Sequence, residues 1–227
     1  MFLKLHIGTC KTGTTSIQNF LLENKKELSS QGILYPDAMR GKNTNNHILF
    51  YLFGYEENLI SKELAWSQNI NRDNPSQLLS MELEKLKSEL ENDNSKNCII
   101  SCEQLSSNLS DLDRVQKIKS ITDKLFDAVE ILVYIRRPIE YYISNISTRL
   151  LAGDVNPTKK PLSNRTIIEL WSNTFGKEKI KVKVFDENEF FENDLIKDFC
   201  LLTDINLNSN FVFPAPKNDS LNLLQMK

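Results

Sequence analysis

The chain has 227 residues, of which 40% are hydrophobic and 26% are charged. This is the composition of a folded domain, and it excludes a disordered chain. The formal net charge is −2 and the longest apolar run covers only residues 48–53, so the sequence predicts no nucleic-acid surface and no membrane span. Any anionic ligand would therefore have to be bound by a local site.

The cysteines form no metal-ligand pattern. Cys98 and Cys102 have three residues between them on a predicted strand, without a second pair, and the chain has only two histidines. Zinc sites generally take four cysteine or histidine ligands at short spacings. Residues 1–6 alternate as a short strand does and do not resemble a signal peptide. We therefore expect no metal, free thiols at Cys10 and Cys200 as well, and a cytoplasmic protein.

The first half of the chain alternates between strand and helix patterns. In chain order, the sequence predicts a strand at residues 2–7, a loop at 8–13, a helix at 14–30, a short strand at 33–35, a helical stretch at 45–64 in two pieces around Gly54, and a long surface helix from Pro75. Gly32 ends the first helix, and proline is favoured in the first turn of a helix, which places the start of the long one.

The second half continues the alternation. It predicts a strand at residues 97–102, a helix from Asp111 to about 126, a strand at 130–135, a helix at 138–151, a loop at 152–163, a helix from Asn164 to 175, a strand at 179–185 and a helix at 193–202. Strands followed by helices favour a parallel sheet that is covered on both faces. We therefore expect one α/β domain over residues 1–227, with three layers and a central parallel sheet of about five strands.

The loop between the first strand and the first helix has the composition of an anion-binding turn. Residues 8–15 are Gly-Thr-Cys-Lys-Thr-Gly-Thr-Thr, and only 7 glycines occur in the chain. Backbone N–H groups in such a loop converge on an anion, and the start of the following helix adds positive potential. The glycine spacing matches the P-loop of nucleotide-hydrolysing proteins, but Thr14 stands in place of its lysine, and Lys11 precedes Gly13. The simpler alternative is that Gly13 and Thr14 only cap the helix.

Residues 6–18 resemble the 5′-phosphosulfate-binding loop of the sulfotransferases that use 3′-phosphoadenosine 5′-phosphosulfate (PAPS). That motif runs lysine, serine or threonine, glycine, threonine, threonine, and residues 11–15 follow this order. Ser16 stands where the steroid- and phenol-type enzymes usually carry tryptophan. The chain is therefore more similar to the bacterial, carbohydrate-type branch, and the resemblance implies a P-loop-like fold.

A second motif of the same family follows the fourth predicted strand. It consists of an arginine at the end of the strand and a serine eight residues later, and Arg136 and Ser144 have this spacing. The resemblance implies that both residues bind the 3′-phosphate of the donor, which ATP lacks. A guanidinium can hold a phosphate through two N–H groups. Without the resemblance, Arg136 and Arg137 would be interpreted as solvated charges, and Arg137 could pair with Glu140.

The resemblance implies an enzyme that moves a sulfuryl group from PAPS to a hydroxyl or amine of a saccharide or another small acceptor. Lys11 would stabilise the charge on the bridging oxygen, and adenosine 3′,5′-bisphosphate would be the product. The implied 5′-phosphate-binding residues are Thr12, Gly13, Thr14, Thr15 and Ser16. Because such a transfer depends on positioning and charge stabilisation, no metal is expected.

Two residues are candidates for the base that takes the acceptor's proton. His47 lies at a predicted helix start, and Glu103 follows the third strand, at the carboxyl edge where ligands of α/β proteins bind. Each has a simpler interpretation, as a surface or capping side chain. His6 alternates within the first strand and is predicted to be a core or edge residue. The sequence leaves both His47 and Glu103 open.

Two further hypotheses remain at this stage. One is a P-loop-type kinase or NTPase with an atypical loop, in which Glu103 would be the metal-binding acid. The other is a catalytically silent domain that binds a nucleotide or a partner. The cations Lys159, Lys160 and Arg165 would either meet an acidic glycan or be solvated. The chain stops at Lys227, for which we expect a short terminal helix or a truncated C-terminus.

Overall fold

The computed structural model describes residues 1–41, 44–56, 75–151 and 163–214. Five strands form one sheet: β1 (Phe2–His6), β2 (Ile33–Leu34), β3 (Asn97–Ser101), β4 (Ala128–Ile135) and β5 (Ile180–Val184). All the neighbouring strands are parallel, in the order β2-β3-β1-β4-β5. The predicted fold class, α/β with a parallel sheet of about five strands, is confirmed.

Helices connect the strands and cover the sheet. The described α-helices are α1 (Thr14–Glu23), α2 (Lys25–Ser30), α3 (Pro75–Asn92), α4 (Gln104–Asn108), α5 (Leu112–Leu125), α6 (Pro138–Leu151), α7 (Asn164–Phe175) and α8 (Leu195–Thr203). Short 3-10 helices occur at Ile48–Gly54, Lys177–Lys179, Glu187–Glu189 and Phe191–Asn193. Among the described residues, no helix is both long and apolar enough to cross a membrane.

The sheet separates two apolar layers. Successive residues of a strand point to opposite faces, so Val133 packs with Trp171 of α7 in one layer. Leu132 packs with Phe20 of α1 and Phe199 of α8 in the other layer. All five side chains are essentially buried. The result is the expected arrangement of three layers, with β1 paired on both sides at the centre.

The strand order creates a crevice at the carboxyl ends of β1 and β4. These strands are neighbours, but the chain runs from β1 toward β2 at one edge of the sheet and from β4 toward β5 at the other. Ligands of open α/β sheets bind where neighbouring strands diverge in this way. The loop 8–13 follows β1, and Arg136 directly follows β4. Both of the predicted anion-binding motifs therefore lie at this crevice.

Side-chain caps define several helix starts. Asp111 accepts a hydrogen bond from the N–H of Arg114 at 3.0 Å, as the sequence predicts for the start of α5. The caps of α7 and α8 are Ser163 and Asp194, which differ by one residue from the predicted Asn164 and Asn193. Serine, aspartate and asparagine are all good N-caps, so the sequence alone leaves an uncertainty of one position.

The predicted helix over residues 14–30 is wrong in one respect, because it consists of two helices. They meet at Asn24, whose Nδ2 donates to the carbonyls of Phe20 and Val212, each at 2.8 Å. Its Oδ1 accepts from the N–H of Val212 at 2.7 Å. A side chain that bonds to the backbone competes with helix propagation. Asn24 therefore ends α1 and fixes the segment that follows α8.

Several predicted segments lie partly or wholly outside the described residues. Of the helical stretch predicted for residues 45–64, Ile48–Gly54 forms a 3-10 helix, and residues 57–64 lie outside the described ranges. The predicted loop at 152–163 also lies outside them, except for Ser163. The same holds for residues 215–227, and for Lys159 and Lys160.

Candidate functional site

The loop after β1 contains three residues with a positive φ. The values are 51° at Gly8, 68° at Lys11 and 70° at Gly13. Glycine adopts this region freely, whereas a lysine rarely does. A Cβ added to Gly13 would lie 2.2 Å from Cδ2 of Leu195 at the start of α8. The positive φ therefore favours glycine at position 13, and the side chain of Leu195 would have to move to admit a Cβ there.

Threonine hydroxyls fix the loop internally and to β4. Thr9 Oγ1 donates to the carbonyl of Tyr134 at 2.9 Å. Thr12 is fully buried, and its Oγ1 donates to the carbonyl of Thr9 at 2.6 Å and accepts from the Thr9 N–H at 3.3 Å. The Thr12 hydroxyl is thus committed to the structure of the loop, and its main chain is the part that could meet a ligand.

The first turn of α1 offers backbone donors to an anion. Gly13 is the N-cap and has no side chain to occupy the N–H groups of this turn. The side chain of Thr15 is exposed and that of Ser16 is half-buried, whereas Thr14 is buried. A helix N-terminus with N–H groups that lack side-chain partners attracts anions. These N–H groups could therefore meet an anion, and the anion-binding role of the turn stays a prediction.

Lys11 supplies an uncompensated positive charge at the loop. Its side chain is half-buried, and it takes part in no ion pair among the described residues. A lysine ammonium beside backbone donors strengthens the attraction for an anion at the helix start. The neighbouring Cys10 is not an alternative functional group. Burial first, and then the charge of Glu103, raise the pKa of its thiol to about 11, so it is not a thiolate at neutral pH.

Arg136 meets the loop from the end of β4. Its Nη1 donates to the carbonyl of Lys11 at 3.1 Å, and its guanidinium carbon lies 5.3 Å from the ring centre of Phe185. Its Nε lies 3.7 Å from Oε2 of Glu140, and this buried Nε has no hydrogen-bond partner. The side chain as a whole is 26% exposed, so an anion could reach the guanidinium at N–H groups other than the buried Nε.

Arg137 points to a different set of groups. Its Nη1 lies 3.4 Å from Oε1 of Glu140, and its Nη2 lies 2.8 Å from Oδ2 of Asp186. The pairing with Glu140, three residues along the chain, is the one that the sequence predicted. The two consecutive arginines thus share Glu140, whereas Asp186 pairs with Arg137 and the bond to the loop is made by Arg136.

Two other residues lie on the helices that begin near Arg136 in the sequence or in space. Ser144 is half-buried within the first two turns of α6, the helix that begins just after Arg136 and Arg137. Asn164, the first residue of α7, donates from Nδ2 to the carbonyl of Arg136 at 2.9 Å. The sequence predicted Asn164 only as a helix cap. Its bond to the end of β4 joins two segments that are distant in sequence.

Glu103 faces the loop from the end of β3. It is half-buried at the start of α4, and its Oε2 accepts the hydroxyl of Thr14 at 2.6 Å. Because β3 is the neighbour of β1, this carboxylate lies at the same edge of the sheet as Lys11. It is the acidic group that the structure brings to the anion-binding turn.

His47 is part of the core. Its ring is fully buried. Nδ1 accepts from the N–H of Ser101 at 3.1 Å, and Nε2 lies 3.0 Å from the carbonyl of Pro36, to which it donates. Burial first, and then the charge of Arg40, lower the pKa of His47 to about 3. Both ring nitrogens are hydrogen-bonded to backbone groups, so the geometry favours a structural role.

His6 is also buried, as the sequence predicted for this strand. Its Nδ1 lies 2.9 Å from the hydroxyl of Ser101, and its ring packs edge-on against Phe199 at a centroid distance of 5.4 Å. Burial lowers the pKa of His6 to about 4. Ser101 therefore links both histidines of the chain beneath the crevice.

These two histidines make the stability of the fold dependent on pH. Both stay neutral in the folded chain down to about pH 4, and both take up a proton near pH 6.5 when unfolded. The unfolded state then binds more protons, so stability falls as the pH drops. We expect each histidine to lower the free energy of unfolding by about 2 kcal/mol between pH 7 and pH 5. Urea unfolding at both values tests this.

A His47→Gln variant is the comparison for this prediction. It is expected to be less stable at pH 7, because the buried backbone groups lose well-placed partners. Its loss of stability from pH 7 to pH 5 should be smaller than that of the original chain, since only His6 would remain to titrate. An equal pH dependence in both proteins would contradict the assignment.

Several groups of the site were not predicted from the sequence. Phe185, just after β5, lies under the Arg136 guanidinium, and Asp186 binds Arg137. Their position after a strand was an available indication, because the carboxyl ends of parallel strands meet at one edge. No comparable pattern in the sequence indicates the bond from Asn164.

The residues present fit a ligand with two anionic ends. One end would meet the N–H groups of the first turn of α1 together with Lys11. The other would meet Arg136, whose Nε has no hydrogen-bond partner. Among the described residues, no group of three or more histidine, cysteine or acidic side chains is arranged to hold a metal ion.

Two solved structures are similar to this chain over most of its length. One is the sulfotransferase domain from the curacin biosynthetic pathway, which is 10% identical with a TM-score of 0.47, over 93% of this chain and 76% of that one. The other is a sulfotransferase from Alicyclobacillus acidocaldarius, which is 14% identical with a TM-score of 0.44, over 98% of this chain and 87% of that one. No family model and no curated protein matches the chain. The roles of individual residues therefore have to be argued from its own geometry.

Proposed function

We propose that the chain is a sulfotransferase that uses PAPS as its donor and a hydroxyl or amine of a saccharide or other small molecule as its acceptor. The observation that carries this proposal is the meeting of two anion-binding elements at the carboxyl ends of β1 and β4. The loop 8–13 follows β1, and Arg136 follows the neighbouring strand β4. The hydrogen bond from Arg136 to Lys11 joins the two elements. A bisphosphorylated nucleotide carries one anion for each element.

The 5′ side of the donor is assigned to the loop and to α1. The N–H groups of the first turn and the hydroxyls of Thr15 and Ser16 would bind the 5′-phosphate, as anions bind at other helix starts. Thr12 and Gly13 would contribute through their main chains. Thr14 would contribute its N–H, because its hydroxyl already donates to Glu103.

The 3′ side of the donor is assigned to Arg136 and Ser144. Charged hydrogen bonds from a guanidinium fork select a doubly charged phosphate. The position of Arg136 directly after β4 and the partial exposure of its side chain support this assignment. The same contact would separate PAPS from ATP, which has no 3′-phosphate.

In the transfer, the bond between sulfur and the oxygen it shares with the 5′-phosphate breaks, and a bond from sulfur to the acceptor oxygen or nitrogen forms. The electron pair of the broken bond stays on the phosphate, and the acceptor loses one proton. Lys11 would stabilise the negative charge on the departing oxygen. Catalysis would then rest on positioning and charge, with no metal required.

We assign the acceptor's proton to Glu103 rather than to His47. A base must have a lone pair that can reach the acceptor. Glu103 is half-buried at the edge of the crevice, whereas His47 is fully buried with both ring nitrogens bonded to the backbone. The catalytic role predicted for His47 has no support from these contacts.

A cytoplasmic location is part of the proposal. The four cysteines are free, and Cys98, Cys102 and Cys200 are buried. Reduced thiols are typical of proteins in a reducing compartment.

A P-loop-type kinase is the second candidate, and the hydrogen bond between Thr14 and Glu103 is the observation that favours it. In P-loop nucleotide hydrolases, a loop hydroxyl and an acid at the end of a strand hold magnesium. Here, however, the bonded hydroxyl is in the position where that motif has its lysine. The sulfotransferase proposal accounts for both Lys11 and Arg136, and the kinase proposal accounts for neither.

Calorimetric titration of the purified chain separates the two candidates. We expect adenosine 3′,5′-bisphosphate to bind, and adenosine 5′-phosphate to bind about 10- to 100-fold more weakly, since it lacks the charged bonds to Arg136. ATP with magnesium is expected to bind weakly as well. Tight binding of magnesium ATP with none of the bisphosphate would overturn the proposal.

The Arg136→Lys variant tests the 3′-phosphate assignment. It keeps the positive charge and loses the planar fork, so we expect binding of the bisphosphate to weaken by about 1.5–3 kcal/mol. Adenosine 5′-phosphate, which has no 3′-phosphate, should lose less affinity than the bisphosphate on this replacement. An unchanged affinity for the bisphosphate would contradict the assignment.

A further inference from the structure

We propose that Arg136 is also a positioning residue, which holds the main chain of Lys11 in its left-handed conformation and so makes the two anion-binding elements one unit. The inference rests on the proposed function for the role of Lys11 in the transfer. It adds a role for Arg136 that does not depend on any contact with the donor.

The backbone at Lys11 needs an external contact to keep its conformation. Its φ is 68°, and side chains other than glycine occupy this region only when the surrounding structure specifies it. Gly8 and Gly13 also have positive φ, but glycine tolerates those values. Lys11 is therefore the loop residue whose backbone conformation is least favoured by its residue type.

Arg136 supplies the contact. Its Nη1 donates to the Lys11 carbonyl at 3.1 Å, across a separation of 125 residues in sequence. The arginine is itself held in place, because Phe185 lies under its guanidinium and Asn164 binds its carbonyl. A second bond from the loop to β4, from Thr9 to Tyr134, holds the loop two residues earlier.

The geometry of a guanidinium allows both roles at once. It has five N–H donors in a fixed plane, and one of them occupies the Lys11 carbonyl. The side chain is also partly exposed, so further donors remain for an anion. An ammonium group is a single point from which donors diverge, and it cannot hold a carbonyl and a phosphate in the same fixed arrangement.

Arg137 provides a matched control on the adjacent residue. It is bonded to Glu140 and Asp186, and among the described residues no contact joins it to the loop. Replacing either arginine by lysine changes the same chemical group at the same strand end. Only the replacement of Arg136 removes a bond to Lys11.

The first test is hydrogen–deuterium exchange of the full chain without ligand. In the Arg136→Lys variant, we expect the Thr9 amide, which is hydrogen-bonded to Thr12 within the loop, to exchange at least about tenfold faster, because the loop opens more often when a closing contact is lost. In Arg137→Lys, the same amide should exchange at the original rate. Equal exchange in all three proteins would overturn the proposal.

The second test is the rate of sulfuryl transfer at saturating PAPS. If Arg136 only bound the 3′-phosphate, saturation would restore the rate of the Arg136→Lys variant. A positioning role predicts that kcat stays at least about tenfold lower, because Lys11 is displaced from the reacting oxygen. Full recovery at saturation would overturn the positioning role. The exchange test needs neither donor nor activity, so it can fail or succeed independently of the proposed function.

Discussion

Replacing Lys11 by alanine should lower the turnover of sulfuryl transfer by about 100- to 1,000-fold, the effect of removing one donor from a charge that develops in the transition state. The affinity for adenosine 3′,5′-bisphosphate should change much less, because the N–H groups of α1 and the guanidinium of Arg136 remain. An interaction made mainly in the transition state lowers kcat more than it weakens binding. Rates with labelled PAPS and calorimetric titration of the bisphosphate measure the two quantities.

Lys87→Ala is the control for this prediction. Lys87 pairs with Glu84 at 2.6 Å on the exposed side of α3, so its removal takes away the same charge at a distance from the crevice. We expect its turnover and its affinity to equal those of the original chain. If Lys11→Ala lost binding and turnover in equal proportion, Lys11 would be a binding residue, and its transition-state role would be wrong.

Replacing Glu103 by glutamine should lower turnover by about 100-fold or more, in the range expected for removing a general base. The amide oxygen of glutamine can still accept the hydroxyl of Thr14, so the loop should keep its shape and the bisphosphate should bind almost as before. The combination of lost turnover and retained binding would identify Glu103 as the proton acceptor. Transfer to a hydroxyl acceptor under saturating PAPS is the measurement.

The His47→Gln variant decides between the two residues that the sequence left open. His47 is bonded to Ser101 and Pro36, so its replacement should reduce stability while the folded fraction retains turnover. Turnover is therefore compared per folded molecule, at a temperature well below unfolding. Loss of activity in His47→Gln with full activity in Glu103→Gln would reverse the assignment.

The fold could be predicted from the sequence because each strand carries a short apolar run, followed by an amphipathic helix. The loop 8–13 and Arg136 could also be placed at the same edge, since each directly follows a strand. What the pattern could not predict is pairing between distant polar side chains. Asp198 is fully buried, yet it accepts the Tyr134 hydroxyl at 2.7 Å and pairs with Lys183 at 3.0 Å.

The candidate bases show the same limit. In sequence, His47 and Glu103 look equally suitable, because periodicity says little about the environment of a single polar side chain. Their difference arises from tertiary structure: the segment around His47 folds over the end of β3, where Ser101 and Pro36 enclose the ring. Glu103, two residues after Ser101, stays at the edge of the sheet. The burial of His47 and the partial exposure of Glu103 both depend on tertiary contacts.

In the proposed mechanism, one adenosine nucleotide spans the crevice between β1 and β4. A crystal structure of the chain with adenosine 3′,5′-bisphosphate is the decisive experiment. We expect the 5′-phosphate at the first turn of α1, beside Lys11, and the 3′-phosphate within hydrogen-bond distance of the Arg136 guanidinium. A nucleotide bound at another surface, or one whose 3′-phosphate points away from Arg136, would contradict it.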